Sequence, residues 1–186
     1  MSHGLLPGAE TGVTIPAMST VVIDVRPARP ADALGLSEVH DEAWTTAYRG
    51  IIPAVMLERM MARRGPDYWH RVASRRGAGT LVLQFDGKVA GYATLGPNRV
   101  RRLPYGGEIY ELYLGPSYQG VGLGRRLFRE ARRVLSVNGL QGLVVWALEE
   151  NAQARAFYTR LGGMEVARAV EPFGDVRLRK IAFAWR

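Results

Sequence analysis

The segment with the clearest chemical character is a run of glycines between a predicted strand and a predicted helix. It reads Gly115-Pro-Ser-Tyr-Gln-Gly-Val-Gly-Leu-Gly-Arg125. Glycines let backbone N–H groups close on a ligand, and a helix start adds unpaired donors and a partial positive charge. That combination is typical of phosphate sites, although a tight turn that only packs the helix is the alternative. The loop lacks the Gly-Lys-Ser/Thr of a P-loop and fits the dinucleotide fingerprint poorly.

The elements that position this loop follow from hydrophobic periodicity and turn signals. Helices are predicted at 31–48, 54–63, 67–76, 122–137 and 151–161, and strands at 21–25, 80–85, 88–95, 108–114, 143–148, 166–170 and 176–185. Asp86-Gly87 between two apolar runs predicts a tight hairpin. In the last strand the apolar positions change parity between Leu178 and Ile181, which predicts a bulge near Lys180. The order of elements predicts an α/β (α+β mixed) fold, with a mixed sheet covered by helices.

Composition limits the classes of function that this fold can have. The 186 residues carry a formal net charge of +8. They contain no cysteine, which excludes disulfides, cysteine nucleophiles and metal sites built on cysteine thiolates. The histidines lie far apart, so we expect no metal site. No apolar run is long enough to span a bilayer, so we expect no membrane association. The arginines are scattered and no nucleic-acid-binding motif is present, so we expect no nucleic-acid partner. We also expect a cytoplasmic protein, since the absence of cysteine is compatible with a reducing compartment.

The first twenty residues differ from the rest of the chain. Glycine and proline punctuate residues 1–20, so we expect a disordered tail there and a folded domain at 21–186. Met18 precedes the first predicted strand, which leaves both Met1 and Met18 open as the start of translation.

Two segments together resemble the GCN5-related N-acetyltransferase (GNAT) family. Gln119–Gly124 is similar to that family's Q/R-x-x-G-x-G/A pyrophosphate loop, and Asn151–Gly163 to its N-x-x-A-x-x-F-Y-x-x-L-G helix. The two occur in the family's order with a buried strand between them. Ile23–Asp32 and Trp44–Pro53 are also similar to family segments, so the resemblance covers residues 21–185.

The resemblance implies a fold and a cosubstrate. The implied fold is a single GNAT-like domain. Its mixed, mostly antiparallel sheet of about seven strands is splayed between 108–114 and 143–148 and flanked by four or five helices. The implied cosubstrate is acetyl-CoA, without a metal, and Arg125 or Arg126 is expected to reach its 3′-phosphate. The residues implied to bind it are Leu112, Leu114, Gln119, Gly120, Val121, Gly122, Leu123, Gly124, Arg125, Asn151 and Tyr158.

The implied reaction is direct transfer of the acetyl group to a primary amine. An amine must lose a proton before it attacks, and a carboxylate can take that proton directly or through water. Glu108 and Glu111 are the candidates, with Glu108 slightly favoured. They have opposite parity on one strand, so we expect them to face opposite sides of the sheet. Tyr158 matches the family tyrosine that protonates the leaving thiolate.

The acceptor is less well defined by the sequence than the cosubstrate. The resemblance points to six aromatic residues for the substrate pocket, since aromatic rings suit a cationic amine. They are Trp44, Tyr48, Tyr92, Tyr110, Tyr113 and Phe173. Both a small-molecule amine and a peptide or protein amine stay open as acceptors, and a homodimer is possible from the family's habits. A sensor or subunit that binds acetyl-CoA without turnover is the alternative function.

Overall fold

A computed structural model describes residues 21–75, 77 and 79–186. The predicted tail at 1–20, and with it Met18, lies outside the described residues. The described helices are α1 (Ala33–Tyr48), α2 (Ala54–Ala62), α3 (Pro66–Ser74), α4 (Leu123–Val137) and α5 (Ala152–Arg160). The described strands are β1 (Ile23–Pro27), β2 (Thr80–Phe85), β3 (Lys88–Pro97), β4 (Gly107–Leu114), β5 (Leu143–Leu148), β6 (Met164–Phe173) and β7 (Val176–Trp185).

The strands form one seven-stranded sheet in the order β1-β2-β3-β4-β5-β7-β6. Every neighbouring pair is antiparallel except β4 and β5, which are parallel. The predicted mixed, mostly antiparallel sheet flanked by helices is therefore confirmed. The predicted Asp86-Gly87 hairpin also forms, with φ of 52° and 77° at its two central residues.

Helices cover both faces of the sheet. On one face, α4 and α5 pack on a large apolar cluster that includes Leu127, Phe128 and Phe183. On the other face, α1 and α3 pack around Trp69, and α1 and α2 pack around Trp44. Burying both faces explains why the central strand β5 is apolar along almost its whole length.

The predicted bulge near Lys180 is wrong. Strand β7 pairs with β5 in unbroken register from Lys180 to Trp185, and the irregularity lies in β6, between Glu165 and Ala167. Ile181 packs on the α4 side of the sheet and Leu178 on the α1 side. The change in apolar parity therefore reflects a strand that is buried on both faces.

Strand β4 carries a bulge that the sequence did not reveal. Thr94 pairs with Glu111 but its neighbour Leu95 pairs with Ile109, which leaves Tyr110 as the extra residue. The shift in parity puts Ile109 and Leu112 in the same apolar cluster on the α4 side. Glu108 and Glu111 consequently share the opposite face, and the expectation that they face opposite sides is wrong.

Candidate active site

A cleft opens where β4 and β5 separate. The two strands pair only from Gly107 to Ile109 on β4, although β4 continues to Leu114 and β5 to Leu148. The cleft has a volume of about 580 Å³ and is lined by α1, the end of β4, the glycine loop, the start of α4 and α5. The splay expected between 108–114 and 143–148 therefore lies at this position.

The glycine loop presents unpaired backbone donors at one end of the cleft. Gly120 and Gly122 have φ of 79° and 88°, which residues with a Cβ rarely adopt. The first helical bond runs from the N–H of Arg126 to the carbonyl of Gly122. No described residue accepts a hydrogen bond from the N–H groups of residues 120–125. This row of donors at the N-terminus of the fifteen-residue helix α4 is a cradle for an anion.

Gly124 and Leu123 contribute backbone N–H groups to the cradle and also pack the start of α4 against its neighbours. A Cβ on Gly124 would lie 3.1 Å from a ring carbon of Phe157, so a larger residue would displace that ring by a few tenths of an ångström. Leu123 is buried in the cluster under α4, whereas the side chain of Val121 is 70% exposed. Leu123 and Val121 therefore contribute only backbone groups to the cradle.

The edge of β4 offers further backbone groups to the cleft. The N–H of Gly115 donates to the carbonyl of Ala90 at 3.0 Å, which sets the alternation of hydrogen bonds with β3. Leu112 and Leu114 consequently direct their N–H and C=O groups away from β3, towards the gap left by β5. The side chain of Gln119 confirms this direction, because its Nε2 donates to the carbonyl of Leu114 at 3.0 Å.

The opposite wall of the cleft comes from α5. Asn151 is buried and its side-chain oxygen caps α5 by accepting from the N–H of Ala154 at 3.0 Å. The cap fixes the side chain, so its amide NH₂ stays available to the cleft that Asn151 lines. Gln153 spans the cleft mouth, because its Nε2 donates to Oε1 of Gln119 at 2.7 Å.

Tyr158 lies on α5 and lines the cleft. Its side chain is only 5% exposed, and no described residue forms a hydrogen bond with its hydroxyl. Burial, together with the neighbouring Tyr48, raises the pKa of Tyr158 above its ordinary value of 10.0. The phenol is therefore protonated at neutral pH and has a proton to donate inside the cleft.

Arginines near the cradle differ in how they are held. Arg125 lines both the main cleft and an adjoining groove along α4 that Arg129 and Arg133 also line. Arg126, by contrast, donates to the carbonyl of Ile23 at 2.6 Å. Arg125 thus lines the cleft itself, whereas Arg126 lines only the adjoining groove and is held there by Ile23.

The two glutamates of β4 are held very differently. Glu108 is 1% exposed, and its carboxylate accepts from the backbone N–H of Arg99 at 2.9 Å and from Nη2 of Arg99 at 2.6 Å. It lies where β4 and β5 still pair, opposite Val144. Glu111 lies beyond the last paired residue, where the strands have separated, and forms an ion pair with Arg64. Its second oxygen, Oε2, is buried without a hydrogen-bond partner among the described residues.

The predicted pocket aromatics divide into two groups. The rings of Trp44 and Tyr48 lie 5.2 Å apart on α1, and the Tyr48 hydroxyl is 2.5 Å from that of Tyr113, which lines the cleft. Tyr110 lies apart from them, because it is the bulged residue of β4. Its hydroxyl donates to the carbonyl of Pro97, and the guanidinium of Arg99 lies 4.2 Å from its ring centre.

Several residues near the cleft were not among those predicted from the sequence. The α1 residues Ala43, Thr46 and Ala47 line it directly, together with Tyr113, which the resemblance had named for the substrate pocket. Arg64, from the turn between α2 and α3, reaches Glu111 across the α1 face. It is 47 positions away from its partner in the sequence and has no local signal.

The residues that the structure describes show no candidate metal cluster of three or more His, Asp or Glu side chains. Among the described helices of the protein, none has the length and apolarity that crossing a bilayer requires.

Comparison with known proteins identifies the family. Residues 37–163 match the model of the acetyltransferase (GNAT) family. The chain is 32% identical to the uncharacterized N-acetyltransferase YuaI of Bacillus subtilis over 165 residues, which cover 88% of this chain and 93% of that protein. It is 24% identical to the spermidine N(1)-acetyltransferase of Thermoplasma acidophilum, covering 75% of this chain and 87% of that one.

A solved structure shares the fold. The PaiA N-acetyltransferase of Thermoplasma acidophilum, in complex with coenzyme A, superposes with a TM-score of 0.69 at 20% identity and covers 88% of this chain and 99% of its own. The family match spans most of the chain, and the strand separation and anion cradle lie within it. The protein is therefore an acetyl-CoA-dependent acyltransferase, and its chain belongs to the GNAT family of N-acetyltransferases.

Proposed function

We propose that this protein transfers the acetyl group of acetyl-CoA directly to the primary amine of a small molecule or peptide. The observation that carries the proposal is the row of unpaired N–H groups at residues 120–125, next to the gap between β4 and β5. A pyrophosphate fits the cradle, and an extended arm fits the free edge of β4 as an added strand would. Acetyl-CoA supplies both, together with a thioester as the activated acyl group.

We propose that Leu112 and Leu114 pair with the arm through their backbone, and that Asn151 donates to it from the other wall. The N–H groups of the cradle bind the pyrophosphate. Arg125 is the better candidate for the 3′-phosphate, because Arg126 is engaged with Ile23. An N–H near Leu114 lies on the same free edge and is placed to stabilise negative charge on the acyl oxygen.

For proton transfer we favour Glu111 over Glu108. Glu111 lies on the separated part of β4 and has an oxygen without a partner, whereas Glu108 accepts several hydrogen bonds from Arg99. Glu111 takes a proton from the acceptor amine, whose nitrogen then bonds to the acyl carbon. As the carbon–sulfur bond breaks, Tyr158 donates its phenolic proton to the sulfur. The nitrogen of the new amide then loses its second proton to the phenolate, which restores Tyr158. Glu111 releases the first proton to solvent, so atoms and charge balance.

The first test is a calorimetric titration of acetyl-CoA, dephospho-CoA and NAD into the purified protein. We expect micromolar binding of acetyl-CoA, weaker binding of dephospho-CoA if Arg125 holds the 3′-phosphate, and no heat with NAD. A panel of amines, followed by release of the CoA thiol, then tests turnover. Failure of the folded protein to bind acetyl-CoA contradicts the proposal, and binding without turnover of any amine favours a sensor instead.

A further inference from the structure

The ion pair of Arg64 and Glu111 carries information about the acceptor. Glu111 lies directly before Leu112 on the open edge of β4, and Tyr113, two residues on, shares its face and lines the cleft. A two-residue step along a strand is about 7 Å, so an amine bound at Glu111 lies near the end of the arm. Neither Glu111 nor Arg64 lines the cleft itself, but both lie next to Tyr113, which does. With the amine placed at Glu111, Arg64 lies beside the acceptor and not on the cosubstrate side.

Both members of this pair have hydrogen-bonding capacity left over. The Glu111 side chain is 12% exposed and its Oε2 has no partner among the described residues. Arg64 makes its described hydrogen bond through Nη1, and its guanidinium lies 5.3 Å and 5.6 Å from the ring centres of Trp44 and Tyr68. A buried carboxylate oxygen without a donor is costly, so a ligand that supplies a donor is favoured. Because Oε2 is shielded from solvent, the ligand reaches this carboxylate by displacing Arg64 from it.

We propose that the acceptor is an α- or β-amino acid, whose amino group binds Glu111 and whose carboxylate binds Arg64. This inference rests on the proposed function and names the substrate class of the same site. The ligand replaces one internal ion pair with two intermolecular ones, so no charge is left unpaired. Because the side chains of Arg64 and Glu111 meet before the ligand binds, the two charges of a ligand that separates them must also lie close together, as they do when one or two carbons lie between them.

The same pair disfavours other amines. A polyamine brings further positive charge next to Arg64, and like charges in a desolvated site repel strongly. A peptide N-terminus has an amide where the amino acid has its carboxylate, so Arg64 receives no anionic partner. The arrangement thus separates three classes of amine that the cradle and the cleft alone do not distinguish.

The experiment compares matched acceptors with the wild-type protein. Free α- and β-amino acids, the amide of each, and spermidine are assayed by thiol release at saturating acetyl-CoA. We expect kcat/KM for at least one amino acid to exceed that for its amide and for spermidine by tenfold or more. Equal or better turnover of the amides or of spermidine overturns the inference while leaving the proposed function intact. Turnover of no amine overturns both, and the calorimetric titration of acetyl-CoA then shows whether cosubstrate binding survives.

Arg64→Met tests whether the discrimination comes from this guanidinium. We expect the variant to lose the preference for the amino acid over its amide, through a higher KM for the amino acid, while its affinity for acetyl-CoA is unchanged. Arg64→Lys keeps the charge and should restore part of the preference. Arg168→Met removes an exposed arginine of β6 that pairs with Glu149 and Glu165. This variant should change neither the preference for the amino acid over its amide nor the affinity for acetyl-CoA. An equal loss with amino acid and amide in Arg64→Met indicates a structural role and overturns the inference.

Discussion

Substitution of Gly122 by alanine tests the anion cradle most directly. Gly122 is the N-cap of α4 with φ of 88°, and a Cβ added there meets no atom within 4 Å. The cost of the substitution is therefore conformational strain of about 1–2 kcal/mol, without a steric clash. Relief of that strain rotates the peptide groups around residue 122, which turns at least one cradle N–H away from the anion.

The size of the effect on binding follows from that lost donor. A hydrogen bond to a charged group contributes about 1.5–3 kcal/mol. We therefore expect the dissociation constant of acetyl-CoA to rise roughly 10- to 150-fold, measured by calorimetric titration. The free energy of unfolding, measured with urea, should fall by only about 1–2 kcal/mol.

Gly139→Ala is the matched control. Gly139 has φ of 77°, also meets no atom within 4 Å, and lies beyond the opposite end of α4. It should lose a similar amount of stability and keep its affinity for acetyl-CoA. If the two variants are equally destabilised and bind acetyl-CoA equally well, the cradle does not hold the pyrophosphate.

Three further predictions concern the proton-transfer groups and a buried histidine. Tyr158→Phe should lower kcat by about 10²-fold or more, with little change in the affinity for acetyl-CoA, and an unchanged kcat refutes the acid role. Glu111→Gln should lower kcat in the same way, whereas Glu108→Gln should mainly lower the melting temperature. The opposite result would make Glu108 the base. His40 is fully buried, and burial, with the charge of Arg64, lowers its pKa from 6.5 to about 3. Between pH 6.5 and pH 3 the ring is protonated in the unfolded chain and neutral in the folded protein. The free energy of unfolding therefore decreases as the pH is lowered, by roughly 2 kcal/mol from pH 6.5 to pH 5. Urea titrations of wild type and His40→Gln at the two pH values test this, since the variant should lose less stability across that interval.

Local signals account for what the sequence predicted correctly. The Asp86-Gly87 hairpin and the glycine loop depend on residues that tolerate positive φ, and their own types reveal them. The helices and strands follow apolar periodicity, and their ends differ from the predicted ones by a few residues. The domain bounds and a homodimer stay predictions.

Bulges and contacts between distant residues could not be predicted from local sequence signals. Nothing in the type of Tyr110 marks it as a bulge, since the extra residue appears only in the register between β3 and β4. The clamp of Arg99 on Glu108 and the pair of Arg64 with Glu111 join residues from different elements. Simple alternation therefore gave the wrong relation between the two glutamates. It also predicted a bulge near Lys180 in β7, where the strand pairs with β5 in unbroken register.

The bulge in β4 accounts both for the gap between β4 and β5 and for the position of Glu111. Ile109 is the last residue of β4 that pairs with β5, and the bulged Tyr110 follows it directly. A bulge bends its strand and increases the local twist, so it accounts for the separation of β4 from β5 at this point. The same extra residue turns Glu111 to the α1 face, where Arg64 meets it, while Leu112 keeps its backbone towards the gap. One irregularity thus opens the gap that we propose for the cosubstrate arm and places a carboxylate beside it. For this reason we assign proton removal to Glu111, on the opened part of β4, and not to Glu108, on the part still paired with β5.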